Sequence, residues 1–161
     1  PDLAIHLHNQ ARLWHDTGDL DRAERLYREA LALRRASLPD DHPAIATSLS
    51  GLGRLLTDRG EPAAAEPLLR DVLTRRRAAL APGNWHIAEA ESLLGACLLA
   101  QGRRDQAAPL LAGALAAMEA QRGGEDLRVR QASARVAALA DPPAAPPDQR
   151  RPAAVVAQAL P

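Results

Sequence analysis

Lysine is absent from this sequence; all 20 basic residues are arginine. No side chain here can form a Schiff base or act as the phosphate-loop lysine of a nucleotide-using enzyme. Phenylalanine is absent too, which leaves Trp14, Tyr27 and Trp85 as the aromatic residues. With so few stacking surfaces, and 20 acidic residues balancing the 20 arginines, nucleic acid is not an expected partner. The zero net charge also supplies no field toward an anionic membrane. A single cysteine, Cys97, excludes an internal disulfide and suits a reducing, cytoplasmic location. No apolar run approaches the roughly 20 residues needed to span a bilayer. The opening PDLAIHLHNQ has no basic leader followed by a continuous apolar stretch. It also lacks an initiator methionine, so the chain reads as a piece of something longer. Abundant alanine and proline beside the arginine bias suggest GC-rich coding and a bacterial source.

Chemistry-bearing constellations are equally scarce. His6 and His8 are two residues apart, which puts them on different sides of a helix. There is no HExxH motif and no Cys/His pair with zinc spacing, so neither a metal nor a cofactor is expected. Asp40 and Asp41 lie in a turn, where aspartate serves backbone hydrogen bonding rather than paired-carboxylate catalysis. Cys97 stands at an apolar position of a repeated pattern, the place of Leu13 and Leu55, and is expected in the core. With no nucleophile beside a partnered base, the chain is not expected to be an enzyme.

What the sequence does have is a period. TGDLDRAERLYREAL, from Thr17, returns as RGEPAAAEPLLRDVL from Arg59 and as QGRRDQAAPLLAGAL from Gln101. Gly18, Gly60 and Gly102 are 42 residues apart, and so are Ala23, Ala65 and Ala107, Leu26, Leu68 and Leu110, and Leu31, Leu73 and Leu115. A small residue recurs upstream at Ala11, Gly53 and Gly95. Fixed periods in this range belong to stacked repeats. Each unit reads as two helices, the first ending at the repeated glycine and the second starting near Pro62 in unit two. LPDDHP (Leu38 to Pro43) and LAPGNW (Leu80 to Trp85) separate the units. Gly53 and Ala65 would let the two backbones approach. Pro67 and Pro109 conflict with a helix interior, which predicts a small kink or a late helix start there and an unbroken second helix in unit one. The arginine runs Arg34–Arg35 and Arg75–Arg77 fall at the ends of second helices, where they are expected to complement the helix dipole and aid solubility.

These residues resemble the tetratricopeptide repeat in its 42-residue form, as in kinesin light chains and many bacterial proteins. The marks are the small residues, the turn glycine, Tyr27, Leu69 and Leu111 after the second small position, and DDHP (Asp40 to Pro43) between units. The resemblance implies an all-α fold: a right-handed α-solenoid of helix-turn-helix repeats, with units at about 3–43, 44–85 and 86–127. Residues 128–140 would form a first helix of a fourth unit that caps the stack. Residues 141–161 are a Pro-rich linker, DPPAAPPDQRRP, followed by AAVVAQAL, which could form two turns of helix. NWHIAEAESLLGACLLAQGR (Asn84 to Arg103) looks like the last repeat of arrays that follow bacterial serine/threonine protein kinase domains.

Function would then lie in the groove lined by the first helices. By the resemblance, its positions are Ile5, His8, Asn9, Arg12 and His15 in unit one. Unit two contributes Thr47, Ser50, Gly51 and Arg54, and unit three Glu89, Ser92, Leu93 and Ala96. Asn9 falls where many relatives carry an asparagine that holds a bound peptide, although Gly51 and Leu93 replace it in the later units. Arg12 and Arg54 share a register and could clamp an acidic group. The expected function is a protein- or peptide-binding scaffold. Rival readings are the regulatory tail of a serine/threonine kinase, and self-assembly into a homo-oligomer through the exposed first unit. Occupation of the groove by Ala153–Leu160 is a further expectation.

Overall fold

The structure is a computed structural model and describes residues 2–140. The described residues form seven α-helices and no strand. They are α1 (Asp2–Asp16), α2 (Leu20–Ser37), α3 (Pro43–Asp58), α4 (Pro62–Ala79), α5 (Trp85–Ala100), α6 (Arg104–Arg122) and α7 (Leu127–Ala137).

Local chemistry explains the helix boundaries. Gly18, Gly60 and Gly102 have φ of 90°, 88° and 76°, a region costly for residues with a Cβ. The following residue turns its amide back onto the ended helix: Asp19 N donates to Trp14 O, Glu61 N to Leu56 O and Arg103 N to Leu98 O. The opening of the next first helix repeats as well. His42 Nδ1, Asn84 Oδ1 and Asp126 Oδ1, at the same 42-residue spacing, accept from the amides of Ala44, His86 and Arg128. Three different side chains thus fill one N-cap position.

Helices pack as hairpins, α1 on α2, α3 on α4 and α5 on α6, and each second helix also touches the next first helix. First helices additionally touch one another, α1 with α3, α3 with α5 and α5 with α7. The result is a solenoid whose core runs from Ala11 to Leu111 through Leu49, Leu69 and Cys97, all fully buried. Burying one such leucine contributes about 1.5–3 kcal/mol. Cys97 is a core residue: its Sγ donates to Pro62 O at 3.1 Å, and burial pushes the thiol pKa up.

Charged contacts fasten one unit to the next at matched places. Glu24 on α2 accepts from Arg59, in the turn after α3, and also from Arg28. In the following unit Glu66 accepts from Gln101 Nε2 at 2.9 Å, from Arg103 at 2.8 Å and from Arg70 at 2.7 Å. The hydrogen bond from Gln101, then those from Arg70 and Arg103, hold the Glu66 carboxyl at a pKa of about 2.

The late start expected at the two internal prolines does not occur. α4 begins at Pro62 and α6 at Arg104, with Pro67 and Pro109 inside them. Both prolines lie within the first two turns, where few i→i−4 donors have yet been used. α2 is unbroken. α7 opens at Leu127 and closes at Ala137, and the guanidinium of Arg104 donates to Leu139 O at 2.5 Å just beyond it.

Candidate functional site

The four first helices face one cavity of about 400 Å³. α1 contributes His8, Arg12 and Asp16, and α3 contributes Thr47, Ser50, Gly51 and Arg54. From α5 come Glu89 and Leu93, and from α7 come Leu127, Arg128, Gln131 and Arg135. Tyr27, Arg76 and Met118 reach in from the second helices.

Of the residues named from sequence, His8, Arg12, Thr47, Ser50, Gly51, Arg54, Glu89 and Leu93 line this cavity. Ile5 and Asn9 are exposed and lie outside it. Ser92 is fully buried, and its Oγ accepts from Arg135 Nη1 at 2.9 Å. His15 is also buried, with Nε2 2.9 Å from Asp58 Oδ2. Gly51 is a glycine because Tyr27 occupies its space: a Cβ there would sit 2.6 Å from Tyr27 Cε1. No asparagine could stand at that place.

Arg34 and Arg76 correct the sequence reading. They do not cap helix ends in water; both are buried between units. Arg34 Nη1 donates to Ala44 O and Ser48 Oγ, each at 2.7 Å. Arg76 Nη1 donates to His86 O at 2.6 Å and Glu89 Oε2 at 3.1 Å, while its Nη2 reaches Ser50 Oγ at 3.3 Å. A guanidinium has enough donors to satisfy several acceptors of a facing helix at once. The third residue in this register, Met118, fills the same place with an apolar side chain, 1% exposed. Burial lowers the pKa of both arginines, partly offset at Arg76 by Glu89.

The groove is electropositive. Arg12, Arg54, Arg76, Arg128 and Arg135 face Asp16 and Glu89. Asp16 is engaged by Arg54 at 2.7 Å, and Glu89 by Arg76 at 3.1 Å and Arg128 at 3.3 Å. Arg12 and Arg135 have no carboxylate within salt-bridge distance among the described residues. Arg135 is half-buried, and loss of hydration lowers its pKa. His8 feels the same environment: burial first, then Arg34 and Arg12, bring its pKa down to about 4. Its ring is therefore neutral at pH 7, sits edge-on to Tyr27 at 5.2 Å, and leaves a buried Nδ1 without a partner. Burial pushes the Tyr27 hydroxyl up to about 12.

The sequence reading missed the α7 contribution. Arg135 occupies the register of Asn9, Gly51 and Leu93, one 42-residue interval further on. Extending that register once more would have found it. The reach of Met118 and Arg76 into the cavity carried no comparable signal, because the period shows equivalence between units but not which side chains meet.

Among the described residues, no group of three His, Cys, Asp or Glu side chains could hold a metal ion. No described helix is long and apolar enough to cross a membrane.

Family models described as "Tetratricopeptide repeat" match residues 2–78 and 88–113. No curated protein matches the chain. Among solved structures, nearly identical TPR-like repeats of kinesin light chain type from Podosopora anserina superpose with a TM-score of 0.72 at 21% identity. That match covers 83% of this chain and 64% of the other. BtubC (BKLC) from P. vanneervenii matches with a TM-score of 0.63 and 23% identity, over 80% of this chain and 51% of the other. A tpr-like protein from Chlorobium tepidum matches with a TM-score of 0.66 and 18% identity, over 85% of this chain and 94% of the other. The chain thus spans under two thirds of the kinesin light chain-type structure and about half of BtubC.

Proposed function

Since the chain belongs to the tetratricopeptide-repeat family, whose arrays are protein-interaction scaffolds, we propose that its groove binds an acidic stretch of a protein or peptide. One observation carries this reading. Arg12 and Arg135 face the cavity without a carboxylate partner, beside three further arginines that pair with Asp16, Asp58 and Glu89. Arg135, half-buried, gains more from a ligand carboxylate than a fully hydrated guanidinium would, and the planar fork of both arginines favours bidentate contact. Thr47 and the neutral His8 ring line the same cavity beside these arginines. The groove works by charge and shape rather than by bond-making, and it acts as a scaffold.

The test is fluorescence anisotropy with a Glu/Asp-rich peptide and its Gln/Asn counterpart. The native chain should hold the acidic peptide more tightly, and Arg12→Glu/Arg135→Glu should abolish that preference with helicity retained. Arg35→Glu, placed outside the groove, should leave it intact. Equal binding of the two peptides, or equal loss in the Arg35 variant, would remove the groove reading.

A second reading, self-association, is supported by Leu3, Ile5 and Leu13 on α1, which are 57%, 51% and 60% exposed. Sedimentation velocity across a concentration series tests it: a sedimentation coefficient that rises with concentration, and falls back in Leu3→Glu/Leu13→Glu, supports it. A constant coefficient rejects it.

A further inference from the structure

Tyr27 is the one tyrosine of the chain and stands at the register of Leu69 and Leu111. Both leucines are 0% exposed, and each fills the space beneath a glycine of its own first helix, Gly53 and Gly95. Tyr27, 2% exposed, reaches the other way and lies beneath Gly51, on the first helix of the next unit. A Cβ on Gly51 would meet Tyr27 Cε1 at 2.6 Å and Cζ at 2.9 Å. The carbon that carries the hydroxyl is thus held at the floor of the groove, whose cavity both residues line. The rings of His8 and His15 flank it edge-on at 5.2 Å and 6.4 Å.

That space asks only for the ring, and phenylalanine would fill it. The hydroxyl makes no hydrogen bond to any described residue, although buried polar groups are rarely left unpaired. It opens on the cavity instead. With its pKa pushed up to about 12, it stays protonated at neutral pH and can donate.

The charges around it are nearly matched. After burial, the groups that act on Tyr27 are Arg54, Asp16, Arg12 and Asp58. Arg54 engages both aspartates, Asp16 at 2.7 Å and Asp58 at 3.7 Å, which leaves Arg12 without a carboxylate. Arg135 reaches the same region from α7, where Arg54 and Asp58 act on it too. Three arginines therefore meet two aspartates, an excess of one positive charge. One carboxylate neutralises that excess, whereas a phosphoryl group, at about −1.5 to −2, would overshoot it.

We infer that one carboxylate of the bound peptide sits against Tyr27, accepting a hydrogen bond from its hydroxyl while Arg12 supplies the opposite charge. This rests on the groove reading above and adds a position to it. An arginine on its long stem can follow an acidic group along the groove; a clamped ring cannot, so Tyr27 sets where the carboxylate must lie. The carboxylate can belong to an Asp or Glu side chain or to a peptide C-terminus. Residues 141–161, which the sequence reading assigns to a Pro-rich linker and a groove-occupying segment, lie outside the described residues, and Ala153–Leu160 holds no acidic side chain.

The test uses the full chain, the Glu/Asp-rich peptide and its Gln/Asn counterpart. Tyr27→Phe keeps the ring and removes the oxygen. It should weaken the acidic peptide about tenfold, as expected for a hydrogen bond to a charged group, and leave the Gln/Asn peptide unchanged. Because the chain has one tyrosine, isotope labelling of its Cζ gives a single carbon NMR line. The acidic peptide should move that line and the Gln/Asn peptide should not, a readout that needs no variant. A phosphoserine in place of any one glutamate should bind no more tightly. Amidating the peptide C-terminus separates the two sources: a Tyr27 effect that vanishes assigns the chain end, one that persists assigns a side chain, and both support the inference. Equal affinity in a folded Tyr27→Phe chain, or an unmoved line, overturns it and leaves the groove reading standing where the acidic preference is seen. Tighter binding of a phosphoserine peptide overturns the single-carboxylate site. No acidic preference in the native chain removes the groove reading and this inference together.

Discussion

Leu69 lies over Gly53 so closely that a Cβ on the glycine would meet Leu69 Cδ2 at 2.6 Å. The two helices of unit two are held at the distance that a missing methyl allows. Gly53→Ala is expected to destabilise the chain by about 1–3 kcal/mol, the usual cost of overpacking. Leu69→Ala alone should cost about 2–5 kcal/mol through the cavity it leaves. The double variant should be more stable than the sum of the two implies, because the added methyl enters the space the leucine vacates. Urea denaturation of the four chains measures the coupling, and strict additivity would show that the contact does not set the spacing.

Arg76 should respond to the chemistry of its replacement. Arg76→Ala removes donors from His86 O, Glu89 and Ser50 and leaves a buried void, at a cost of about 3 kcal/mol or more. Arg76→Met should cost less, because Met118 already fills the equivalent place in unit three and Arg128 still neutralises Glu89. Equal losses in thermal melts of the two variants would mean that the volume, not the satisfied polar network, is immaterial there.

Acid should loosen the stack through Glu66. Its carboxyl pKa is about 2 in the folded chain against 4.5 ordinarily, so the fold favours the ionised form. The stability this supplies is complete above pH 4.5 and is lost as pH falls through about 2. Glu66→Gln should lower stability at neutral pH and flatten the pH dependence in that window. A variant whose stability curve still parallels the native one below pH 4.5 would disprove the assignment.

His8 titrates in a different window with the same overall direction. Its pKa is about 4 folded against 6.5 ordinarily, so the fold favours the neutral ring and the unfolded chain takes up the proton first. The contribution is complete above pH 6.5 and declines as pH falls toward 4. His8→Gln should remove that slope between pH 6.5 and 4 while preserving the groove charge at neutral pH. Proton NMR of the imidazole gives the direct check: a ring titrating near 6.5 in the folded chain would refute the buried placement.

Much of the architecture was legible because each unit writes its own local instructions. Gly18, Gly60 and Gly102 stop three helices, Ala23, Ala65 and Ala107 admit close backbones, and Leu69 and Leu111 fill the spaces between. The family resemblance named eight residues that line the cavity, among them Arg12, Arg54 and Glu89. It also placed Ser92 in the groove, but Ser92 is fully buried and its Oγ accepts from Arg135.

The sequence by itself determined the repeat and the all-α solenoid, since caps, turn glycines and apolar periodicity act within a few residues of one another. The tertiary structure decided which arginines stay hydrated and which are buried. Arg34 and Arg35 are neighbours in the chain, yet Arg34 is 5% exposed and bonded to α3 while Arg35 is exposed to solvent. The tertiary structure also brought Arg135 and Arg12 to opposite ends of one cavity, 123 residues apart in sequence. The physical reason is that a helical period fixes the direction of each side chain about its own axis. What that side chain meets depends on the neighbouring units, whose stacking places residues of distant sequence in a common, partly dehydrated space.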